Sequence, residues 1–289
     1  VMRSLVGSEM SVGDSSTTPG LDNFTAVTAT DNYSASLSFT LSSGDGAKTV
    51  YAWLRDTAGN IGGSASDNIS LDTTAPAVSV GSPSDNDSNS GPVSFTVSYT
   101  GADNVTLAGD NVTVTTTGTA AAGSKSITGS GTATRTITLD NLTGDGTLAV
   151  SIPAGTATDL AGNSALSANA PNSLTVDNTA PSLTLGSPSD NNTKAGPVTL
   201  TVTYTGAYNV TLVGDNVTIS ATGTAAAGSK SVTGSGTATR TITLDNLTGN
   251  GTLAVSIASG TANDFAGNSA PTASATDNIT VDNTAPSGL

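Results

Sequence analysis

A five-residue stretch recurs in this chain at a fixed interval. It reads Asp72-Thr73-Thr74-Ala75-Pro76, then Asp177-Asn178-Thr179-Ala180-Pro181, then Asp282-Asn283-Thr284-Ala285-Pro286. From Asp72 to Asp177 is 105 residues, and from Asp177 to Asp282 is 105 again. A period that long, with no drift, means one folding unit duplicated in tandem. Each copy follows a β-type run (Ile69-Ser70-Leu71, Leu174-Thr175-Val176, Ile279-Thr280-Val281), and the first two precede another (Val78-Ser79-Val80, Leu183-Thr184-Leu185). Proline fixes φ and pushes the residue before it towards an extended form. The stretch therefore reads as a short, stiff linker between the last strand of one domain and the first strand of the next. The carboxylate at its start is available as a ligand.

Within the period the chain alternates. Val93, Phe95, Val97 and Tyr99 are separated by Ser94, Thr96 and Ser98, and Leu148, Val150 and Ile152 repeat the pattern. A period of two is a strand with one buried face. Gly, Asn and Asp turns punctuate the runs, and no stretch shows a period of 3.6. About seven short strands in about 100 residues is the signature of an immunoglobulin-like sandwich. Residues 72–176 and 177–281 are roughly 70% identical, and the block Gly118–Leu142 recurs as Gly223–Leu247 with Ile127→Val232 as its one change. Residues 1–71 read as the later part of such a sandwich, its early strands missing or divergent. Strands are expected there at Leu37–Leu41, Thr49–Leu54 and near Asn68–Leu71. Residues 282–289 open a further repeat, so the sequence reads as a window on a longer array. The expected fold is all-β: tandem immunoglobulin-like antiparallel β-sandwiches in an extended array.

Composition narrows the functions. The chain carries 22 acidic residues against 8 basic ones, and Glu9 is its only glutamate. Aspartate favours turns and loops. An acidic surface argues against nucleic acid and anionic membranes, and for calcium or simple solubility. With no cysteine there are no disulfides, and with no histidine the usual general base and the commonest transition-metal ligand are missing. No apolar run reaches membrane-spanning length. Trp53, the only tryptophan, lies in an expected strand and reads as core. Paired aspartates could in principle hydrolyse glycosides, but here they recur in turns at every repeat and share no single cleft. The expectation is that the chain is not an enzyme.

Repeats with D-x-T-A-P linkers and D-x-A-G-N loops resemble the bacterial Ig-like domains of large surface proteins, such as the extender regions of adhesins. The loops in question are Asp56-Thr57-Ala58-Gly59-Asn60, Asp159-Leu160-Ala161-Gly162-Asn163 and Asp264-Phe265-Ala266-Gly267-Asn268. The resemblance covers residues 72–289 and, more loosely, 30–71. It implies an extracellular location on a bacterial surface and, in many members, calcium between domains.

The sandwich topology places the candidate ligands. The start of the first strand should share a pole with the second-to-third-strand loop and the D-x-A-G-N loop. At the Asp72 linker this brings together Asp45, Asp72, Asp103, Asp159 and Asn163. At the Asp177 linker, Asp85, Asp87, Asp140 and Asp145 come from the repeat behind, and Asn209, Asp264 and Asn268 from the repeat ahead. Asp56, Asn60 and Asp282 are the corresponding groups elsewhere. Calcium takes six to eight oxygens at a flexible site, and carboxylates converging without metal would repel. The competing reading is that D-x-A-G-N is a turn in which Asp and Asn bond their own backbone. Asp103 becomes Tyr208 and Asp145 becomes Asn250 one period later, which puts those two in doubt as ligands. Asn-Val-Thr at 104–106, 111–113, 209–211 and 216–218 matches a glycosylation acceptor, as chance allows in so Asn- and Thr-rich a chain.

The sequence thus points to a structural spacer, a calcium-stiffened rod whose partners are neighbouring repeats. Two other classes stay open. In a polymerising filament or surface layer, another copy of the chain would complete the first domain. In a ligand-binding adhesin module, for a receptor or glycan still unknown, one repeat should carry an exposed aromatic or an insertion that its sister lacks. No such feature stands out along the two full repeats.

Overall fold

The computed structural model describes residues 9–27 and 37–287. Its first sheet is built from β1 (Glu9–Gly13), β2 (Thr25–Ala26), β3 (Gly46–Arg55) and β4 (Ala65–Leu71), all antiparallel in the order β2-β1-β3-β4. The expected strands Thr49–Leu54 and Asn68–Leu71 lie inside β3 and β4. Leu37–Leu41 does not form a strand, and Phe39 is exposed. The reason is occupancy. β3 already pairs with β4 along one edge and with β1 along the other, so an alternating segment finds no ladder there. Trp53 is buried, as expected, and stacks on Tyr51 with ring centroids 5.7 Å apart. Arg55 ties the sheet together. Its guanidinium pairs with Glu9 on β1 and lies 4.8 Å over the Phe24 ring.

The next stretch carries β5 (Ala77–Pro83), β6 (Asp87–Ser88), β7 (Val93–Thr100), β8 (Asn104–Val105), β9 (Thr113–Thr116), β10 (Ala121–Thr128), β11 (Thr134–Thr143), β12 (Gly146–Ile152), β13 (Ala157–Thr158), β14 (Ala168–Asn169) and β15 (Leu174–Val176). One sheet runs β10-β11-β7-β5. A second runs β14-β12-β15-β6, with β9 also on β12. β6 joins β15 in parallel, and β8 pairs with β13 in a separate two-stranded ladder. The alternation in β7 is realised as expected: Val93, Phe95, Val97 and Tyr99 are buried while Thr96, Ser98 and Thr100 are exposed. Register stacks Phe95 beside Ile137 and Val93 beside Leu139, so both strands turn their apolar faces the same way.

The same ladders recur one period later. β16 (Ser182–Leu185), β18 (Val198–Thr205), β22 (Thr239–Thr248) and β21 (Ala226–Thr233) form one sheet in that order. β17 (Asn192–Thr193), β26 (Ile279–Val281), β23 (Gly251–Ile257) and β20 (Val217–Ala221) form the second, with β25 (Ala273–Ser274) on β23. β19 (Asn209–Val210) pairs with β24 (Ala262–Asn263). Both sheets supply one continuous core, in which Leu200, Ile242 and Leu244 of the first meet Leu253, Ile257 and Ile279 of the second. Two antiparallel sheets with a shared apolar interior, strand order and parallel edge included, make an immunoglobulin-like sandwich.

By its contacts the chain divides into two compact units: residues 1–77 with 100–106 and 154–166, and residues 78–99 with 107–153 and 167–289. The features described below each lie within one of these units.

Gly249, set against Gly236 in the turn before β22, shows how tightly the turn into β23 is drawn. Gly249 has φ +77°, and a Cβ there would stand 1.9 Å from the Thr224 carbonyl oxygen. Gly236 has φ +76° but open space around it. Both are in the left-handed region that glycine enters without cost. Gly236→Ala should therefore cost only the left-handed penalty, about 1–2 kcal/mol. Gly249→Ala should cost more, because backbone must move. Urea denaturation of the two variants checks this, and equal losses would mean that the Thr224 contact is relaxed in solution.

Candidate functional site

The recurring linker is held by side chains from both directions. Behind the Asp177 linker, Gly144 and Asp145 form the turn between β11 and β12. The Asp145 carboxylate accepts the Asn178 N–H at 2.6 Å and the Thr179 hydroxyl at 2.8 Å, and Asn178 Nδ2 donates to the Gly144 carbonyl at 2.9 Å. Ahead of it, Asn268 of the D-x-A-G-N loop donates its amide to the Asp177 carbonyl at 2.7 Å. The linker also holds itself, since Asp177 Oδ1 accepts the Thr179 N–H at 2.9 Å, and Asp177 N–H donates to Ser88.

The Asp72 linker is gripped in the same way. Asp45 accepts from the Thr73 N–H at 2.9 Å and from both threonine hydroxyls, Asn163 Nδ2 donates to the Asp72 carbonyl at 3.0 Å, and Asp72 Oδ1 accepts the Thr74 N–H. At the third copy Asn250 accepts the Asn283 N–H at 2.6 Å, and Asp282 Oδ1 accepts from Thr284. This explains why Asp145 can become Asn250. The carbonyl oxygen of an amide serves the backbone donor as a carboxylate oxygen does.

The D-x-A-G-N loops are closed turns. In each, the Asp carboxylate accepts the backbone N–H of the Asn through one oxygen and its Nδ2 through the other, at 2.8–2.9 Å. This holds for Asp56 with Asn60, Asp159 with Asn163 and Asp264 with Asn268. The Asn60 side chain and backbone N–H keep the Asp56 carboxyl below its usual range. Asn163 does the same for Asp159, led by its side chain. The Thr74 and Thr73 hydroxyls lower Asp45, and the Asn178 N–H followed by the Thr179 hydroxyl lowers Asp145.

These bonds bear on calcium. Among the described residues no three acidic side chains converge at metal-ligating spacing. Asn268 Nδ2 stands between Asp264 Oδ2 and the Asp177 carbonyl, the place a shared cation would take. Both of those neighbours are acceptors, so the atom between them is the donating nitrogen and not the amide oxygen. Asn163 holds the same place between Asp159 Oδ2 and the Asp72 carbonyl. The arrangement is therefore not the all-oxygen cage that calcium takes. The Asp72 linker differs from the Asp177 linker in one respect. Asp72, Asp103 and Asp159 line a common cavity of about 430 Å³, with Leu160 and Pro76 in its wall.

The remaining expected ligands are dispersed. Asp140 does not sit in the turn with Asp145. It lies within β11, opposite Ser124, and its Oδ1 accepts the Asn141 N–H. Turn preference suggested a loop, but the ladder to β10 continues through it. Asp85 accepts the Asp87 N–H at 3.3 Å, and Asp87 lies in β6, opposite Thr175 on the parallel edge, away from Asp145 in the turn between β11 and β12. Asn111 and Asn216, two of the glycosylation candidates, cap single 3₁₀ turns through Oδ1.

Two features escaped the sequence reading. Asn89 donates to Asn268 Oδ1 at 3.1 Å across 179 residues, so the loop after β6 reaches the D-x-A-G-N turn of the next repeat. Tyr208 and Phe265 form an edge-to-face pair, with centroids 4.9 Å apart at 89° and both rings more than 60% exposed. Their counterparts one period earlier are Asp103 and Leu160. This is the repeat-specific exposed aromatic that did not stand out along the sequence. Its trace was there, as two aromatic replacements 57 residues apart in loops that the fold brings together.

No protein-family model matches the chain, and no curated protein matches it. Among solved structures, a tetra-tandem repeat from the extending region of a large adhesion protein overlaps 97% of this chain and 68% of its own, at 23% identity and a TM-score of 0.29. The D00-D0 domain of intimin overlaps 69% of this chain and all of its own, at 16% identity and a TM-score of 0.28. A chimeric titin Z1Z2 carrying an exogenous peptide from decorin overlaps 74%, at 15% identity and 0.23. Likenesses with TM-scores this low do not fix the architecture; the strand ladders do.

The depressed carboxyls carry a sign. A group whose folded pKa lies below its unfolded value stabilises above the ordinary aspartate pKa of about 3.9, and that contribution disappears as pH falls through the folded value. Asp45, Asp145 and Asp159 should accordingly titrate below about 3.9 when followed by NMR of their carboxyl carbons. Asp145→Asn should abolish the acid sensitivity of the Asp177 linker while keeping the Asn178 bond. A normal titration midpoint at Asp145 would mean that this bond is absent in solution.

Proposed function

We propose that the chain is a spacer segment of an extracellular bacterial surface protein, a tandem array whose work is to hold distance. The observation that carries this is the linker grip. At both the Asp72 and Asp177 linkers an acidic turn behind and an asparagine ahead bond the same backbone positions. Side chains spent on fixing a linker serve a chain whose function depends on the geometry between its repeats. Chemistry has little to work with: the sequence holds no histidine or cysteine, and the aspartates of the D-x-A-G-N turns are occupied by turn donors. No helix among the described residues is long and apolar enough to cross a membrane. The surface location follows the resemblance to adhesin repeats and is part of this proposal.

Calcium enters the proposal at one linker. Three aspartates line the Asp72 cavity without converging to ligating spacing, whereas Tyr208 stands where a third would be at Asp177. Metal there would have to displace the Asn163 amide. Calcium at a hundredfold excess over its dissociation constant would stabilise by roughly 2.7 kcal/mol. Asp103→Ala should then remove the melting shift produced by calcium. A melting curve indifferent to chelator would leave the hydrogen bonds as the sole hold on the linker.

The spacer reading is tested by force and by scattering. Stretching single molecules should unfold the two full repeats in separate events, each releasing a contour of at most about 350–380 Å for 105 residues. Asn268→Ala should widen the distribution of dimensions seen by small-angle scattering without lowering either unfolding force. Identical scattering from the variant and the parent chain would sink the role given to Asn268.

A further inference from the structure

The aromatic pair is not needed for the fold. Tyr208 N–H donates to the Asn263 carbonyl at 2.8 Å, and the ladder pairs Asn209 with Asn263 and Val210 with Ala262. The same ladder forms in the earlier repeat, where Asp103 and Leu160 occupy the ring positions. The ladder therefore fixes the two rings without using them. They are 62% and 61% exposed in a chain that is 3% aromatic. Tyr204, by contrast, is buried and bonds Thr261 at 2.9 Å.

The surroundings decide which ligand fits. Residues 177–281 hold six aspartates against Lys194, Lys230 and Arg240. Lys230 and Arg240 spend their charge inward, on the carbonyls of Val217, Thr239 and Val210. Asp264 directly precedes Phe265, and Asp177 is bonded to the same loop through Asn268. Asp264 is buried with both oxygens accepting from Asn268, so the local negative charge comes from the partly exposed Asp177, which has no cationic partner among the described residues. Ring faces are themselves electronegative, so this is a platform for a cation. A guanidinium suits it better than an ammonium, being planar, weakly hydrated and able to stack. A ligand that carries phosphate beside its cation would meet the net charge of −14.

We propose that Tyr208 and Phe265 form a docking site for an arginine-bearing segment of a partner protein, a site present in the second full repeat and absent from the first. The contact is small, two rings in an acidic repeat, so the interaction is weak and exchanges quickly. It does not depend on the spacer reading.

The test uses the whole 289-residue chain and fluorescein-labelled hexa-arginine, followed by anisotropy at about 150 mM salt, close to physiological screening. The variant is Tyr208→Asp with Phe265→Leu, the residues that the sister repeat already carries at these positions. An unchanged circular dichroism melt checks its folding. The variant gains a negative charge, so the two explanations have opposite signs. Docking on the rings predicts binding weaker by about fivefold and a preference for hexa-arginine over hexalysine. Attraction to bulk charge predicts equal or tighter binding by the variant and no preference, and either result overturns the proposal. Maltoheptaose is the neutral control. If it shifts the Tyr208 and Phe265 ring resonances while hexa-arginine does not, the pair is a sugar platform and the proposal fails.

Discussion

The structure depends on one repeated interaction: a side-chain oxygen at the turn into β12 or β23 accepts a backbone N–H of the linker. A linker has few ways to keep its shape. Beyond the Asp177 N–H, which bonds Ser88, its N–H and C=O groups have no ladder partners, yet each needs one or water. Here the turn behind supplies an acceptor for Asn178 and the asparagine ahead supplies a donor for Asp177. The two bonds act on the two sides of one peptide unit, between Asp177 and Asn178, from opposite repeats. Proline at position 181 removes a further donor and fixes φ, so the freedom left to the linker is small.

This reframes the aspartates. A run of acidic residues at a junction suggests mutual repulsion that a cation must relieve. In the structure several of these carboxylates accept from neutral N–H and O–H donors, 4 residues away in the D-x-A-G-N turns and 28–34 residues away at the linkers. Hydrogen bonds from neutral groups to an ionised acceptor are stronger than neutral pairs and need no counterion. The D-x-A-G-N turn goes furthest, with one asparagine satisfying both oxygens of its aspartate and then reaching the linker. The three bonds of that one residue, two from Nδ2 and one from its backbone N–H, explain its position at the end of the loop.

Much of the fold was legible because alternation records a buried face directly. Val93 to Tyr99 and Leu148 to Ile152 lie in the strands expected, with the faces expected. Leu37–Leu41 has the same alternation and no strand, because pattern says which face could be buried and not whether a neighbouring edge is free. The short strand at Glu9–Gly13, which takes that edge, carries almost no apolar signal. At the linkers the sequence named the participating residues but not their roles. It displays acceptors such as Asp145 and Asp159, while the donors that satisfy them are mostly backbone amides, which every residue has. Tyr208 and Phe265 were visible as substitutions, but only the pairing of β19 with β24 makes them neighbours.

The same distinction between short-range and long-range charge organises the rest of the molecule. A net charge of −14 repels over distances set by the Debye length, about 10 Å at 0.1 M salt. The linker bonds act at 2.6–3.0 Å, well inside that length, where salt does little. Ionic strength therefore tunes how the array meets other molecules while leaving the joints between repeats alone. Joints closed by neutral donors on carboxylates respond to acid but less to salt than surface ion pairs would.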